Sequence, residues 1–271
     1  MTGPRPARHR LVAVDLDGTL LNSRHEISER NLLAIKRLQE RGVKVVVVTG
    51  RASYIAARWV RRLGAGGYHI TFNGAAVVDY DRAAHFNVQY MRPGPAADLT
   101  GWLEAHRVWY AAHTLETPYS PWEGREESAA FERIGDPIPE VARVTPYIDR
   151  LLKVMLVLCE GTALENELRS LFEGPLAVAR TGPSLLEFMN PRASKGAALA
   201  WVAAAYGVVR EEVVAFGDSQ NDVSMFENAG LAVAMGNASD AARQAAHVVC
   251  EDCDSDGVAC ALERFVFPCL E

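Results

Sequence analysis

Asp15 and Asp17 stand two residues apart at the end of an apolar run, LVAVDLDGTL over 11–20. Two carboxylates at that spacing can hold a cation and supply a nucleophile. Further reactive types follow at wide intervals. Thr49 and Gly50 end KVVVVTG, Lys195 lies within SKG, and Asp218, Asn221 and Asp222 lie within FGDSQND. A phosphate ester resists a carboxylate because both are anionic, so a site joining them needs a cation between them. Asp15 and Asp218 suit Mg²⁺, which prefers oxygen ligands and keeps several waters. Thr49, the Gly50 N–H, Lys195 and Asn221 are donors for the charge that spreads over phosphoryl oxygens. Each residue also has a plainer use: aspartates shape turns, Thr49 caps a helix, Lys195 is a solvated helix residue, and Asn221 and Asp222 begin one. The whole set, at expected strand ends and helix starts, favours phosphoryl transfer.

Such a set needs a sheet to gather it. Leu11 to Val14 are apolar without alternation, as in a strand buried on both faces of a parallel sheet. Asp15 and Asp17 then lie at its carboxyl end, where open α/β sheets bind ligands, and Gly18 permits the tight turn. Ser28 is placed to cap a helix carrying Leu32, Ile35 and Leu38, stopped by Gly42. KVVVVTG is a second buried strand, Ser53 caps the next helix, and YHITFNGA is a third strand ending at Asn73 and Gly74. VVDYDRAAHFNV reads as a hairpin turning near Asp81.

From about Met91 the pattern changes at RPGPAAD. A helix is expected over 97–106, a strand over 108–112, a Pro/Glu-rich loop, a strand at KVMLVLC, a helix over 162–172, and closing strands near Leu176 and Leu185. The first pattern resumes with Ser194 capping AALAWVAAAYG, then the strand EVVAFGD delivering Asp218. A short helix to Gly230, the strand LAVAMG, a helix capped near Ser239, the strand HVVCE and a helix from about Val258 complete it. The expected fold is α/β, a doubly wound parallel-sheet core over 10–90 and 189–271, with an inserted α+β domain over 91–188 and a flexible tail over 1–9.

At 271 residues and 49% hydrophobic, the chain is long enough for one large core or two modest domains. The net charge of −6 is mild and no long basic run occurs, so neither nucleic acid nor a membrane surface is expected as partner. No apolar stretch approaches the roughly 18 residues that cross a bilayer. MTGPRPARHR is basic, but the apolar run after it is too short for a signal peptide. Five cysteines in a chain of this size read as free thiols. A cytoplasmic protein, monomer or weak homodimer, acting on a small-molecule phosphorylated substrate is expected.

DLDGTL, VVVVTGR (45–51), SKG (194–196) and FGDSQND (216–222) resemble, in order, the four signatures of the haloacid dehalogenase superfamily of phosphoryl-transfer enzymes. FNGA (72–75) and AMGNA (234–238) resemble its Cof-like sugar-phosphatase branch. The resemblance implies that Asp15 is the nucleophile, forming a phosphoaspartyl intermediate. Asp17 is implied as the acid and base, its backbone carbonyl a third Mg²⁺ ligand, with Asp222 supporting the metal's waters. It also implies that 91–188 is a cap selecting the leaving group, and that Asn73, Gly74 and Asn237 form a substrate loop; Asn237 serves equally well as a turn former. The expected function is a Mg²⁺-dependent phosphatase of small phosphorylated metabolites, sugar phosphates or related monoesters. A phosphomutase, which returns phosphate to a sugar, and a catalytically silent sugar-phosphate sensor are the alternatives; intact Asp15 and Asp17 argue against the sensor.

Two metal patterns compete for notice. DCDSDGVACALE, 252–263, has calcium-loop spacing, but a strand rather than a helix is expected before it and Ala259 replaces a larger apolar residue. His247, Cys250 and Cys253 have metal-like spacing yet fall short of four ligands. In the insertion, Trp102, Trp109, Tyr110, Tyr119 and Trp122 read as packing residues and His113 as a structural histidine, while Arg180 and Glu187 are placed to face a cleft.

Overall fold

The computed structural model describes residues 9–135, 137–181 and 184–270, so the expected tail lies outside it except for His9. Two compact units share the chain. One takes the residues up to Thr49, Ala56–Asn87 and the chain from Ser194 onward; the other takes Gly50–Ile55 and Val88–Ala193.

The first unit begins with β1 (Leu11–Asp15), buried at every residue, then α1 (Glu29–Glu40), β2 (Lys44–Val48), α2 (Ser53–Leu63, of which it takes the part from Ala56), β3 (Tyr68–Thr71), β4 (Ala76–Asp79) and β5 (Ala84–Phe86). Ser28 caps α1, its Oγ accepting the Asn31 N–H at 3.1 Å. The second unit contributes α3 (Pro93–Ala105), β6 (Ala111–His113), β7 (Pro118–Ser120), α4 (Arg125–Ile134), β8 (Glu140–Val141), β9 (Lys153–Val157), α5 (Ala163–Phe172), β10 (Ala177–Arg180) and β11 (Leu185–Met189). The chain then returns through α6 (Lys195–Ala205), β12 (Val213–Gly217), α7 (Val223–Glu227), β13 (Leu231–Ala234), α8 (Asp240–Ala245), β14 (Val248–Val249) and α9 (Gly257–Ala261).

In the first unit the strands form one sheet in the order β14-β13-β12-β1-β2-β3-β4-β5. All pairs from β14 to β3 are parallel; β4 and β5 add an antiparallel edge. From β1 the chain steps outward through β2 and β3, and later from β12 through β13 and β14 on the other side. The switch point therefore falls between β1 and β12, where such sheets open a crevice at their carboxyl ends. Leu11, Ala13, Val46, Val213 and Ala215 bury one face against Leu199 and Val202 of α6 and Met225 and Phe226 of α7. On α1, the Asn31 Oδ1 accepts the Ala259 N–H of α9 at 2.9 Å.

The sheet also holds a buried polar stitch. β2 and β3 share a short register, Val48 opposite Ile70, and the Val47 N–H instead donates to Nδ1 of His69 at 3.2 Å. His69 Nε2 lies 3.1 Å from the Ala65 carbonyl. Burial pulls the His69 pKa down to about 4, against weaker support from that carbonyl and from Asp79 and Asp81.

The second unit is a six-stranded sheet ordered β10-β11-β9-β6-β7-β8, antiparallel except for β7 with β8. Leu99 and Leu103 of α3 and Leu168 and Phe172 of α5 pack with Val154, Leu156, Leu186 and Phe188. Several sequence expectations are corrected here. α3 starts at Pro93, because proline is tolerated in a first helical turn where no N–H partner exists. The supposed Pro/Glu-rich loop contains β7, α4 and β8. Glu126 and Glu127 suit the first turn of α4, and Gly135 closes it at φ 73°. The strand expected over 108–112 is β6, displaced to Ala111–His113, and HVVCE shrinks to two strand residues.

Candidate active site

The carboxyl edge of the first sheet brings Asp15, Asp17, Thr49, Asn73, Lys195, Asp218, Asn221 and Asp222 onto neighbouring turns. β1 ends at Asp15, β2 just before Thr49, and β12 just before Asp218. Ser194 caps α6, its Oγ accepting the Ala197 N–H at 3.0 Å, so that Lys195 is the first helical residue and is buried. The Lys195 ammonium donates to Asp15 Oδ1 at 2.8 Å and to Asp222 Oδ1 at 2.6 Å. Asp222 Oδ2 accepts the N–H groups of Asp218 and Ser219, each at 2.9 Å. One fully buried carboxylate thus fixes the lysine and the Asp218 turn together.

Asp218 is oriented by hydroxyls. Thr19 Oγ1 donates to its Oδ1 and Ser219 Oγ to its Oδ2, both at 3.1 Å. Gly18, at φ 76°, has no room for a side chain, since a Cβ there would lie 2.5 Å from Asp218 Oδ2. Asp17 is half-exposed, with Oδ1 3.5 Å from Nδ1 of His25. Thr49 is buried; its N–H donates to the Ile70 carbonyl at 2.9 Å and its carbonyl accepts the Asn73 N–H at 3.0 Å. Asn73, at φ 54°, accepts from Asn221 Nδ2 at 2.9 Å through Oδ1, and Gly74 packs against the Ser194 carbonyl. Asn237 donates through Nδ2 to the Gly18 carbonyl at 2.8 Å and accepts the Cys253 N–H at 3.0 Å. Gly50 belongs to the second unit.

One lysine faces several carboxylates, and the electrostatics follow. Burial, first, and the charges of Asp222, Asp218 and Asp17 push the Asp15 pKa well above the usual carboxylate range, although Lys195 pulls the other way. Burial and then Asp222 raise Asp218 to about 6. Burial alone would discharge Lys195, but Asp15 and Asp222 outweigh it and keep the ammonium charged. Carboxylate oxygens of Asp15, Asp218 and Asp222 lie within 4.8 Å of one another. Hard oxygen donors, crowded so that their charged forms need further positive charge, fit a small divalent cation.

Among the described residues this is the one acidic or thiol cluster with metal-holding geometry. The 252–263 stretch is not gathered around a point: Asp254 Oδ1 accepts the Ser23 N–H at 2.8 Å and Glu263 pairs with Arg30 at 2.7 Å. His247 Nδ1 accepts the Ala232 N–H at 2.9 Å, and Cys250 Sγ lies 3.7 Å from Met235 Sδ. In the second unit, Arg180 is occupied by Glu165 and the Leu158 carbonyl at 3.0 Å, and Glu187 by Lys153 at 2.6 Å. His113 is buried against Tyr54, 3.2 Å from its hydroxyl. Sequence reasoning missed Thr19, Ser219 and His25. Thr19 stands inside DLDGTL and a hydroxyl beside paired aspartates was a usable signal; nothing marked His25.

A parallel sheet whose switch-point crevice holds a lysine-bridged carboxylate cluster defines a class, and comparison supplies it. The haloacid dehalogenase-like hydrolase family matches residues 12–262, and the chain belongs to that family. Within it, the chain is a phosphatase. Phosphatase YwpJ of Bacillus subtilis (strain 168) is 31% identical, covering 92% of this chain and 97% of its own. Pyridoxal phosphate phosphatase YbhA of Escherichia coli (strain K12) is 28% identical over 92% of this chain and 96% of its own. The crystal structure of a haloacid dehalogenase-like hydrolase from Bacteroides thetaiotaomicron superposes with a TM-score of 0.85 at 28% identity, covering 95% of this chain and 99% of that one.

Proposed function

We propose that the protein is a Mg²⁺-dependent phosphatase of small phosphorylated metabolites, sugar phosphates or related monoesters, working through a phosphoaspartate on Asp15. The observation that carries the reading is the buried Lys195 bridge between Asp15 and Asp222 beside Asp218. Lys195 orients one oxygen of Asp15, and the other has no hydrogen-bond partner among the described residues, which leaves it for attack on phosphorus. Lys195, Thr49, the Gly50 N–H and Asn221 then serve as donors to the phosphoryl oxygens. Asp17, half-exposed, donates a proton to the departing alkoxide and takes one from the water that cleaves the acyl phosphate. Asp15, the Asp17 carbonyl and Asp218 would hold Mg²⁺, which supplies charge neutralisation between two anions. Asp222, whose oxygens hold Lys195 and the 218–219 amides, would support the metal's waters from behind Asp218.

Val88–Ala193 corresponds in this reading to the cap that selects the leaving group, and Asn73 and Gly74 to a substrate loop. Among the described residues, no helix is long and apolar enough to cross a membrane. Five free thiols suit a reducing, cytoplasmic setting. The test is phosphate release from sugar phosphates, nucleotides and pyridoxal phosphate, with Mg²⁺ or with EDTA, beside Asp15→Asn. Release that needs the metal and falls at least about 10³-fold in the variant is expected. Release unaffected by EDTA or by the substitution refutes the proposal.

A further inference from the structure

The turn that carries Asp17 contains its own weak point. Gly18 follows directly, and a glycine at φ 76° has wide conformational freedom when nothing outside the turn holds it. Of the local bonds, Thr19 N–H to the Leu16 carbonyl and Leu20 N–H to the Asp15 carbonyl are each 3.2 Å, and only Leu21 N–H to the Leu16 carbonyl, 2.8 Å, is short. Besides the Thr19 hydroxyl on Asp218, two contacts from the C-terminal part of the same unit hold the turn. Asn237, in the turn after β13, donates to the Gly18 carbonyl at 2.8 Å while its Oδ1 accepts the Cys253 N–H at 3.0 Å. The residue after Cys253 makes the second contact: Asp254 Oδ1 accepts the Ser23 N–H at 2.8 Å. Asn237 and Asp254 thus tie the two ends of the 18–23 turn to one short segment, 253–254. Beyond Ser23, the Asn22 side chain closes the following turn through the N–H groups of Arg24 and Glu26, each at 3.0 Å, and sets His25 beside Asp17.

We infer that Asn237 is a positioning residue for Asp17, clamping the Gly18 hinge against the 253–254 segment, and that Asp254 serves the same brace. The acidic stretch with calcium-like spacing thereby has a use that needs no cation. This inference rests on Asp17 being the acid and base, as proposed above. An acid must meet the leaving oxygen at hydrogen-bond distance, so slack at the hinge matters most where proton donation limits the rate. Leaving groups that depart without a proton are indifferent to it.

The test compares kcat/KM, which covers steps only through formation of the phosphoenzyme when that step is irreversible, for 4-nitrophenyl phosphate and for glycerol phosphate. Wild type, Asp17→Asn, Asn237→Ala, Asp254→Ala and Asp254→Asn are measured as full-length protein with Mg²⁺. Asn237→Ala is expected to lose about five- to tenfold on the alkyl ester and less than about twofold on the aryl ester, the scale of one hydrogen bond. Asp254→Ala should shift in the same direction, and Asp254→Asn, which keeps the acceptor, should stay near wild type. Equal losses on both esters, or none on the alkyl ester, overturn the inference, and Asp254→Ala decides the matter if Asn237→Ala does not fold. An Asp17→Asn variant without leaving-group dependence, or a wild type inactive on both esters, overturns the underlying reading and this inference with it.

Discussion

Acidification should loosen the first unit through one imidazole. His69 is fully buried, with Nδ1 accepting the Val47 N–H and Nε2 facing the Ala65 carbonyl, so the folded ring is neutral with its proton on Nε2. Protonation would set a second N–H against the Val47 N–H. The folded pKa is about 4, below the ordinary 6.5 that an unfolded chain regains. The unfolded state therefore binds the proton first, and the stabilisation is whole above pH 6.5 and is lost as pH falls toward about 4. The whole difference is about 3 kcal/mol, of which about 2 kcal/mol disappears between pH 7.5 and pH 5. Hydrogen exchange at the β2 amides of wild type and His69→Asn, at both pH values, isolates this increment, because other titrating groups are common to both proteins. The wild type should lose about 2 kcal/mol more than the variant. An imidazole resonance titrating near its ordinary value, or equal losses in both proteins, would refute the reasoning.

Two substitutions test the carboxylate cluster. Lys195→Met leaves Asp15 and Asp222 buried without their shared cation, so stability without metal should fall by about 3 kcal/mol or more and kcat by at least about 10²-fold. Denaturant titration and phosphate release check both; an unchanged midpoint would contradict the bridge. Gly18→Ala forces a Cβ to 2.5 Å from Asp218 Oδ2 at φ 76°, and Mg²⁺ affinity measured by calorimetry should drop about tenfold or more. Unchanged affinity would show that the cluster absorbs the intrusion.

The residues of the cluster were legible because each ends an apolar strand or begins a helix, and those boundaries are local. Leu11 to Val14 have no polar face to hide, which is enough to place Asp15 at a buried edge. What stayed hidden depends on partners far along the chain. Nothing beside Thr19 or Asn237 shows that one reaches Asp218 and the other Gly18. The buried Lys153–Glu187 pair joins separate strands, β9 and β11, and neither residue's neighbours mark it. α4 was obscured for another reason: its apolar side is slight and its Glu-rich first turn looks like a solvated loop until Phe131 is seen buried against Trp109.

Strand order also has a consequence for biosynthesis. β1 lies between β2 and β12, and Leu11 pairs with Val213, so the middle of the first sheet is complete only when late-emerging chain arrives. Every strand of the second sheet, by contrast, comes from the continuous stretch between Ala111 and Met189. Chain made from the N-terminus presents β1 and β2 long before β12, with one apolar edge of β1 waiting for its neighbour. Such distant pairing is slow because loop closure precedes the contacts that reward it. A nascent chain thus holds every strand of the second sheet while the phosphatase cleft still lacks β12 and the Asp218 it delivers.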